Sequence, residues 1–205
     1  MKIIRNDFFK ETNFFSTGMV FCLEILIKSK IMNAKVSEVP ITLFKDGRIN
    51  AKSHLKTIKD GLKTLKFILI SSPKWSFFIP SFISLIFSFI TLLLIKTNNT
   101  ESVFLVLTLS YLSFQLFMLG LFSKIRSVSL GLSKMNWLNN FFKLFSLRIS
   151  FIISFISIIF GFFSLYLNLD LIGKEIDFMI YYFSIFFGVS LIANSLTISL
   201  LFLNE

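Results

Sequence analysis

Lys56, Lys59, Lys63 and Lys66 recur every three or four residues inside the stretch Asp46–Trp75, with Arg48, Lys52 and His54 just ahead of them. Cations in that pattern suit one kind of chemistry, the holding of phosphate. A guanidinium such as Arg48 grips phosphate through two parallel hydrogen bonds, whereas an ammonium attracts it as a point charge. Arg48 follows the turn signal Asp46-Gly47 and can equally stand in water. His54 can donate to a phosphate or cap a helix that begins at Leu55. Metal and disulfide chemistry are poorly provided for. Cys22 is the single cysteine and His54 the single histidine, too few for a protein metal cage or an intrachain disulfide. Glu24, inside the apolar run Met19–Ile27, reads as a buried carboxylate satisfied by its neighbours rather than as a general base.

Basic residues at this density serve either nucleic acid or anionic lipid, and the distribution of the net charge of +10 decides between them. Fourteen Lys and Arg against six acids precede Ser76, and seven against five come after it. From Ser76 onward the chain is almost wholly apolar. The chain of 205 residues is 55% hydrophobic and 17% aromatic, with a mean hydropathy of +0.80. That is a membrane composition, so the partners expected are lipid headgroups and not nucleic acid. Along the basic stretch Leu55, Ile58, Leu62, Leu65 and Leu69 share one helical face. The lysine stripe lies about a quarter turn away at ~100° per residue. Lysines bordering an apolar face can lay their stems along lipid and reach phosphates with their ammonium groups. Residues 52–75 are therefore expected to form a juxtamembrane amphipathic helix, closed by Pro73 with Lys74 and Trp75 at the interface.

The first third must position this helix. The start, MKIIRNDFFK, has acids and no long apolar core and does not read as a signal peptide. Ser16 or Thr17 is placed to cap a helix starting near Gly18, and the apolar run of that helix is too short to span a bilayer. Val36–Phe44 is β-branched and roughly alternating, which predicts a strand, with Pro40 confining it to a sheet edge or end. A helix and one edge strand cannot enclose a core, so residues 1–51 read as a short α/β remnant of a larger cytosolic domain. Four apolar segments then predict transmembrane helices at Ser76–Ile95, Ser102–Ser123, Ile149–Leu167 and Phe178–Leu203, each reaching roughly 30 Å at 1.5 Å per residue. Pro80 is tolerated near the start of the first. The loop Lys124–Arg148 is basic and free of acids. Asn168–Asp177 carries Asp170, Glu175 and Asp177 against Lys174. This puts both termini and the basic loop in the cytoplasm, the chain being multi-pass in the inner (cytoplasmic) membrane. Trp137-Leu138 and Phe141-Phe142 suggest a second segment lying on the membrane. The four spans contain no Asp, Glu, Lys or Arg, which weighs against ion pumps and proton-coupled carriers. Gln115 and Asn194 are their most polar members, and interhelical hydrogen bonding is the expected use.

Three groups of residues resemble bacterial glycosyltransferase family 2 enzymes of the polyprenyl-phosphate type, relatives of dolichol-phosphate mannosyltransferase. The first is Thr17-Gly18-Met19-Val20-Phe21 with Glu24 and Lys28, similar to the family's helix near the acceptor site, with Val20 in place of the usual acid. The second is Glu38-Val39-Pro40-Ile41, Asp46-Gly47-Arg48, His54-Leu55, Asp60-Gly61, Leu65, Phe67, Ser72-Pro73 and Trp75. Ala51-Lys52-Ser53 stand there where the family often has prolines. The third is Phe114-Gln115, Gly120, Phe122 and Lys124, similar to the second membrane helix of four-helix members.

The resemblance implies transfer of a sugar from a nucleotide donor to polyprenyl phosphate at the cytoplasmic leaflet. It also implies a GT-A catalytic domain whose Asp-x-Asp motif holds Mg²⁺ or Mn²⁺. This sequence has no such motif and begins roughly where that domain would end, so no cofactor is expected in this chain itself. By the same resemblance Arg48, Lys52, His54, Lys56, Lys59 and Lys63 would bind the lipid phosphate, and Glu24 would belong to the acceptor-side helix. The expectation is the membrane-anchoring, lipid-acceptor-side portion of such an enzyme, inactive alone. It would work with membrane lipid and polyprenyl phosphate, with a separate catalytic chain, or as a homo-oligomer. The rival is a non-enzymatic four-helix membrane subunit, either the partner of a separate catalytic chain or of lipid-carrier flippase type.

Overall fold

A computed structural model describes residues 3–42, 44, 57–94, 100–134, 147–167 and 174–203. Among these the chain is mainly helical and forms no β-strand. It divides into two compact units, Met1–Ser71 with Ser127–Lys134, and Ser72–Arg126 with Met135–Glu205.

The first unit holds α1 (Asn6–Glu11), α2 (Met19–Ile31) and α3 (Thr57–Ser71). The expected hydroxyl cap on α2 is not made. Gly18 occupies the N-cap position at φ 67°, and no side chain caps the helix. A left-handed turn of this kind suits a residue without Cβ. At the other end Asn33 takes φ 53° and the Ala34 amide returns to the Ser29 carbonyl at 2.8 Å, closing the helix in the way such left-handed residues do. Between α1 and α2 an aromatic cluster forms around Phe14, whose ring lies 5.4 Å from Phe9 and 5.3 Å from Phe21. Such offset and edge contacts add to area burial in fixing the intervening chain.

The strand expected at Val36–Phe44 is a correction. Its described residues form no strand, and Val36, Val39, Ile41 and Phe44 are 62–84% exposed. Alternation and β-branching favour a pleated, half-buried surface, but a strand exists only against a partner. No second strand forms among the described residues to supply one. The "α/β" part of the expected remnant is accordingly all α and irregular chain where it is described. The Asp46-Gly47 turn lies outside the described residues.

Among the described residues the second unit is built from four helices, one of which runs on past Arg126 into the first unit. A π-helical turn, Lys74–Phe78, leads into α4 (Ile79–Leu94), followed by α5 (Thr100–Ser129), α6 (Leu147–Leu167) and α7 (Lys174–Leu203). The first helical run thus starts earlier than Ser76, and Pro80 stands just beyond a widened turn. Widening there eases the conflict between a proline ring and the carbonyl four residues back. Three helices are long and apolar enough to cross a membrane: Lys74–Leu94, Thr100–Ser129 and Met179–Ile198. A shorter apolar stretch, Ile149–Phe163, lies within α6. The expected Trp137–Phe142 segment lies outside the described residues.

Packing of α4 inverts that of a helix in a water-soluble protein. On α4 the buried residues are Ser81, Ser84 and Ser88, while Phe82, Ile86, Phe89 and Leu93 stand exposed. The Ser81 and Ser113 hydroxyls each donate to the other residue's carbonyl, at 2.9 and 2.8 Å. Ser84 and Ser88 donate to the carbonyls of Leu109 and Val106. On α6 and α7, Gly161 and Gly188 lie so close to the facing helix that an added Cβ would come within 2.9 Å of the Tyr181 and Ser154 carbonyl oxygens respectively. Small residues inward and large apolar ones outward is the arrangement lipid favours. There the hydrophobic effect does not drive helices together, and close packing and hydrogen bonds do. Gln115 accepts from Asn194 at 3.3 Å and donates to Tyr111 at 2.6 Å, joining α5 to α7. The two most polar span residues therefore meet each other, as expected for interhelical hydrogen bonding.

Candidate functional site

Of the residues expected to bind lipid phosphate, Lys59 and Lys63 are described; Arg48, Lys52, His54 and Lys56 lie outside the described residues. Lys59 and Lys63, with Lys66, are exposed on α3. Three residues of the apolar stripe beside them are also exposed, Ile58 by 82%, Leu62 by 62% and Leu65 by 53%, while Leu69 is half-buried. What α3 turns inward is a different row. Asp60, Thr64 and Ser71 are half-buried and Phe67 is buried, at intervals of four, three and four residues. At ~100° per residue that row stands opposite the Ile58–Leu62–Leu65 stripe. The helix packs against α2, and the Phe67 ring lies 6.4 Å from that of Phe15. An amphipathic helix in water normally buries its leucines and exposes its polar row. Here the mixed row is turned inward, and Ile58, Leu62 and Leu65, bordered by lysines, stand exposed.

Glu24 is fully buried on α2. Its Oε1 accepts the Phe15 amide at 3.2 Å and its Oε2 the Ser16 amide at 2.8 Å. Lys28, one turn on, lies 2.7 Å from Oε1. It also donates to the Asn13 carbonyl and sits 4.9 Å from the centre of the Phe15 ring. Burial pushes the Glu24 carboxyl up. The Lys28 ammonium, the Ser16 hydroxyl and the Ser16 and Phe15 amides outweigh it and hold the group below the usual carboxylate range. A carboxylate so committed is ionised, fully hydrogen-bonded and shut off from solvent. It works as a clamp on the strap of residues 13–16, in line with the expectation of a satisfied carboxylate.

Lys28, which stands with Glu24 in the first resembling group, is marked as its partner by the i,i+4 spacing. Phe15 and Phe67 have no local pattern that marks them out. A cleft of about 290 Å³ opens beside the strap, lined by Glu11, Thr12, Asn13, Lys28, Ile31, Met32 and residues 129–131. The Lys28 ammonium that could attract an anion there is already engaged by Glu24 and Asn13. Among the described residues no group of three or more His, Cys, Asp or Glu stands together in a way that could hold a metal ion.

Comparison of the chain with protein-family models, with curated proteins and with solved structures finds no match to any of them.

Proposed function

We propose that this chain is the membrane-anchoring, lipid-acceptor-side portion of a glycosyltransferase that moves a sugar from a nucleotide donor to polyprenyl phosphate. The observation that carries the reading is the free face of α3, an exposed Ile58–Leu62–Leu65 stripe flanked by exposed Lys59, Lys63 and Lys66. That face suits a helix lying in the headgroup layer, its apolar side in acyl chains and its ammonium groups on lipid phosphate. The apolar run beginning at Lys74, three residues past the end of α3, keeps the helix at the surface. The sugar-transfer part of the reading comes from the Asp46–Trp75 resemblance. By that resemblance Arg48, Lys52, His54 and Lys56 would join the described lysines in binding the phosphate, and Glu24 would belong to the acceptor-side helix. In this reading α6 also crosses, giving four crossings, the chain is multi-pass in the cytoplasmic membrane, and the basic α3 and α5–α6 regions face the cytoplasm. Nucleotide sugar and its Mg²⁺ or Mn²⁺ would be held by residues other than the described ones.

The test is binding of polyprenyl phosphate, with the unphosphorylated polyprenol as control, to the full chain in neutral-lipid nanodiscs. Saturable binding of the phosphate alone is expected, weakened about tenfold or more when Lys59 and Lys63 are both replaced by Glu. Equal retention of the polyprenol, or indifference to the two lysines, overturns the reading. Sugar transfer by the chain alone would make it a complete enzyme instead.

A further inference from the structure

The roll of α3 about its own axis is not the one that water would choose. Burial of apolar surface would turn Ile58, Leu62 and Leu65 onto α2 and leave Asp60, Thr64 and Ser71 outside. From Ile58 to Phe67 the opposite roll is found, with Leu69 and Ile70 half-buried beyond it, and a specific contact is placed to hold it. Among the described residues the buried side chain of the docked row is Phe67, 6% exposed, and the ring that meets it is Phe15. Phe15 belongs to an irregular strap with no helical bonding of its own. Three contacts fix the strap: the Glu24 carboxylate on the successive amides of Phe15 and Ser16, the Lys28 ammonium on the Asn13 carbonyl, and the same ammonium against the Phe15 ring. Every one of these groups lies within the first unit.

We propose that the Glu24–Lys28 clamp sets the roll of α3: by holding the strap it seats Phe15 against Phe67, docks the Asp60–Thr64–Phe67–Ser71 row, and so presents Ile58, Leu62 and Leu65 with their flanking lysines to an anionic leaflet. The leaflet as occupant rests on the function proposed above; the clamp and the roll rest on the geometry alone. Glu24, Lys28 and Phe15 are positioning residues that act on the lipid-facing surface without touching it. The carboxylate has two tasks, neutralising Lys28 and accepting two amides, and only the first could be done by any ion pair. Reversing the pair therefore does not restore the roll, because an ammonium at position 24 has no acceptor for the Phe15 and Ser16 amides.

The experiment uses the full chain in proteoliposomes of phosphatidylcholine with phosphatidylglycerol. Cys22, which is exposed, is replaced by Ser so that only an introduced thiol reports. Single cysteines are placed at Leu62 and at Thr64, and their rates of reaction with a water-soluble maleimide are measured. In the parent both are expected to react slowly, Leu62 because lipid covers it and Thr64 because protein does. In Glu24→Gln, Thr64 is expected to react about tenfold faster, since an amide side chain accepts one of the two amides and leaves Lys28 without its counter-charge. The exchange Glu24→Lys with Lys28→Glu should stay fast, and Phe67→Ala, which leaves the clamp intact, should speed Thr64 to the same extent. An unchanged Thr64 rate in Phe67→Ala, or in a folded Glu24→Gln, overturns the proposal, as does rescue by the exchange. A fast Leu62 rate in the parent overturns the leaflet reading instead, and the Thr64 arms still judge the clamp.

Discussion

At the residue scale the decisive group is a buried ion pair whose net worth is not set by its charges. Bringing Glu24 and Lys28 out of water costs more than their mutual attraction returns unless every remaining donor and acceptor finds a partner. Here the carboxylate takes two backbone amides and the ammonium a carbonyl. Removing one partner should hurt more than removing both. Lys28→Met is expected to destabilise the first unit by about 3 kcal/mol, and Glu24→Gln with Lys28→Met by less, because no unpaired charge stays buried. Denaturant unfolding followed by near-ultraviolet dichroism of the phenylalanine cluster would check this; a double variant worse than both singles would contradict it. The sign of the pH dependence follows from the lowered carboxyl. A depressed carboxyl stabilises the fold fully above its unfolded value, near 4.5, and that stability is lost as the pH falls through the folded value. Protection of the Phe15 and Ser16 amides from hydrogen exchange, corrected for the intrinsic rate, should hold at pH 6 and fade on acidification below about 4.5, and Glu24→Gln should abolish the fade. Some of this is legible in the sequence: a glutamate inside an apolar run needs a partner, and a lysine stands four residues on. The strap is not, because its contacts run eight to fifteen residues back along the chain, and no period connects them.

At the scale of elements, two kinds of close contact hold the apolar helices, and their energies differ in origin. The serine-to-carbonyl bonds between α4 and α5 are each worth about 0.6 kcal/mol in a membrane setting, since the separated helices also find partners for their hydroxyls. The glycine contacts between α6 and α7 are steric. A Cβ at Gly161 would lie 2.5 Å from the Ile185 Cγ1 and Ser184 Oγ atoms and 2.9 Å from a backbone carbonyl. Backbone cannot swing aside as a side-chain end can. Gly161→Val should therefore cost about 2 kcal/mol or more, and Ser84→Ala well under 1. Unfolding in mixed micelles against rising dodecyl sulfate would read both, and equal midpoints would show that the close approach at Gly161 is not what holds α6 to α7. Hydropathy locates three helices long and apolar enough to cross a membrane and the shorter apolar stretch in α6, because length and apolarity are sums over many residues. It cannot say which faces pair, since every face of α6 is nearly as apolar as the next; only the row Ser150, Ser154, Ser157, Gly161 marks the inward side, at spacings of four, three and four. The strand fails for the converse reason. Alternation describes one half of a pairing, and the other half is not among the described residues.

At the scale of the whole molecule, charge asymmetry carries the proposal about sidedness. Lys59, Lys63 and Lys66 precede the first apolar helix, Lys124 and Arg126 stand in the last two turns of the second, and Lys134 lies beyond it. If both helices cross, these groups share a side, and the excess of Lys and Arg favours the cytoplasm as that side. Single cysteines at Lys63, Lys134 and Thr100 in the Cys22→Ser background test this in intact cells with a membrane-impermeant maleimide. Only Thr100 should react before lysis, and Lys63 and Lys134 should react after it. The electrostatic part has its own signature. Each lysine near an anionic surface contributes about 1 kcal/mol, so neutralising Lys59, Lys63 and Lys66 together should release α3 from phosphatidylglycerol-containing bilayers by about 3 kcal/mol at low salt. Raising salt toward 1 M shrinks the screening length to about 3 Å and should bring parent and variant together. The apolar stripe is insensitive to salt and keeps a residual hold in both. An environment-sensitive dye at Leu62 reports this contact directly: its emission should shift to the red in the triple variant at low salt, and the parent should approach the variant as salt rises. A difference that persists at 1 M salt would mean that the lysines act through protein contacts, and the lysine-bordered face of α3 would then belong to the fold and not to the lipid.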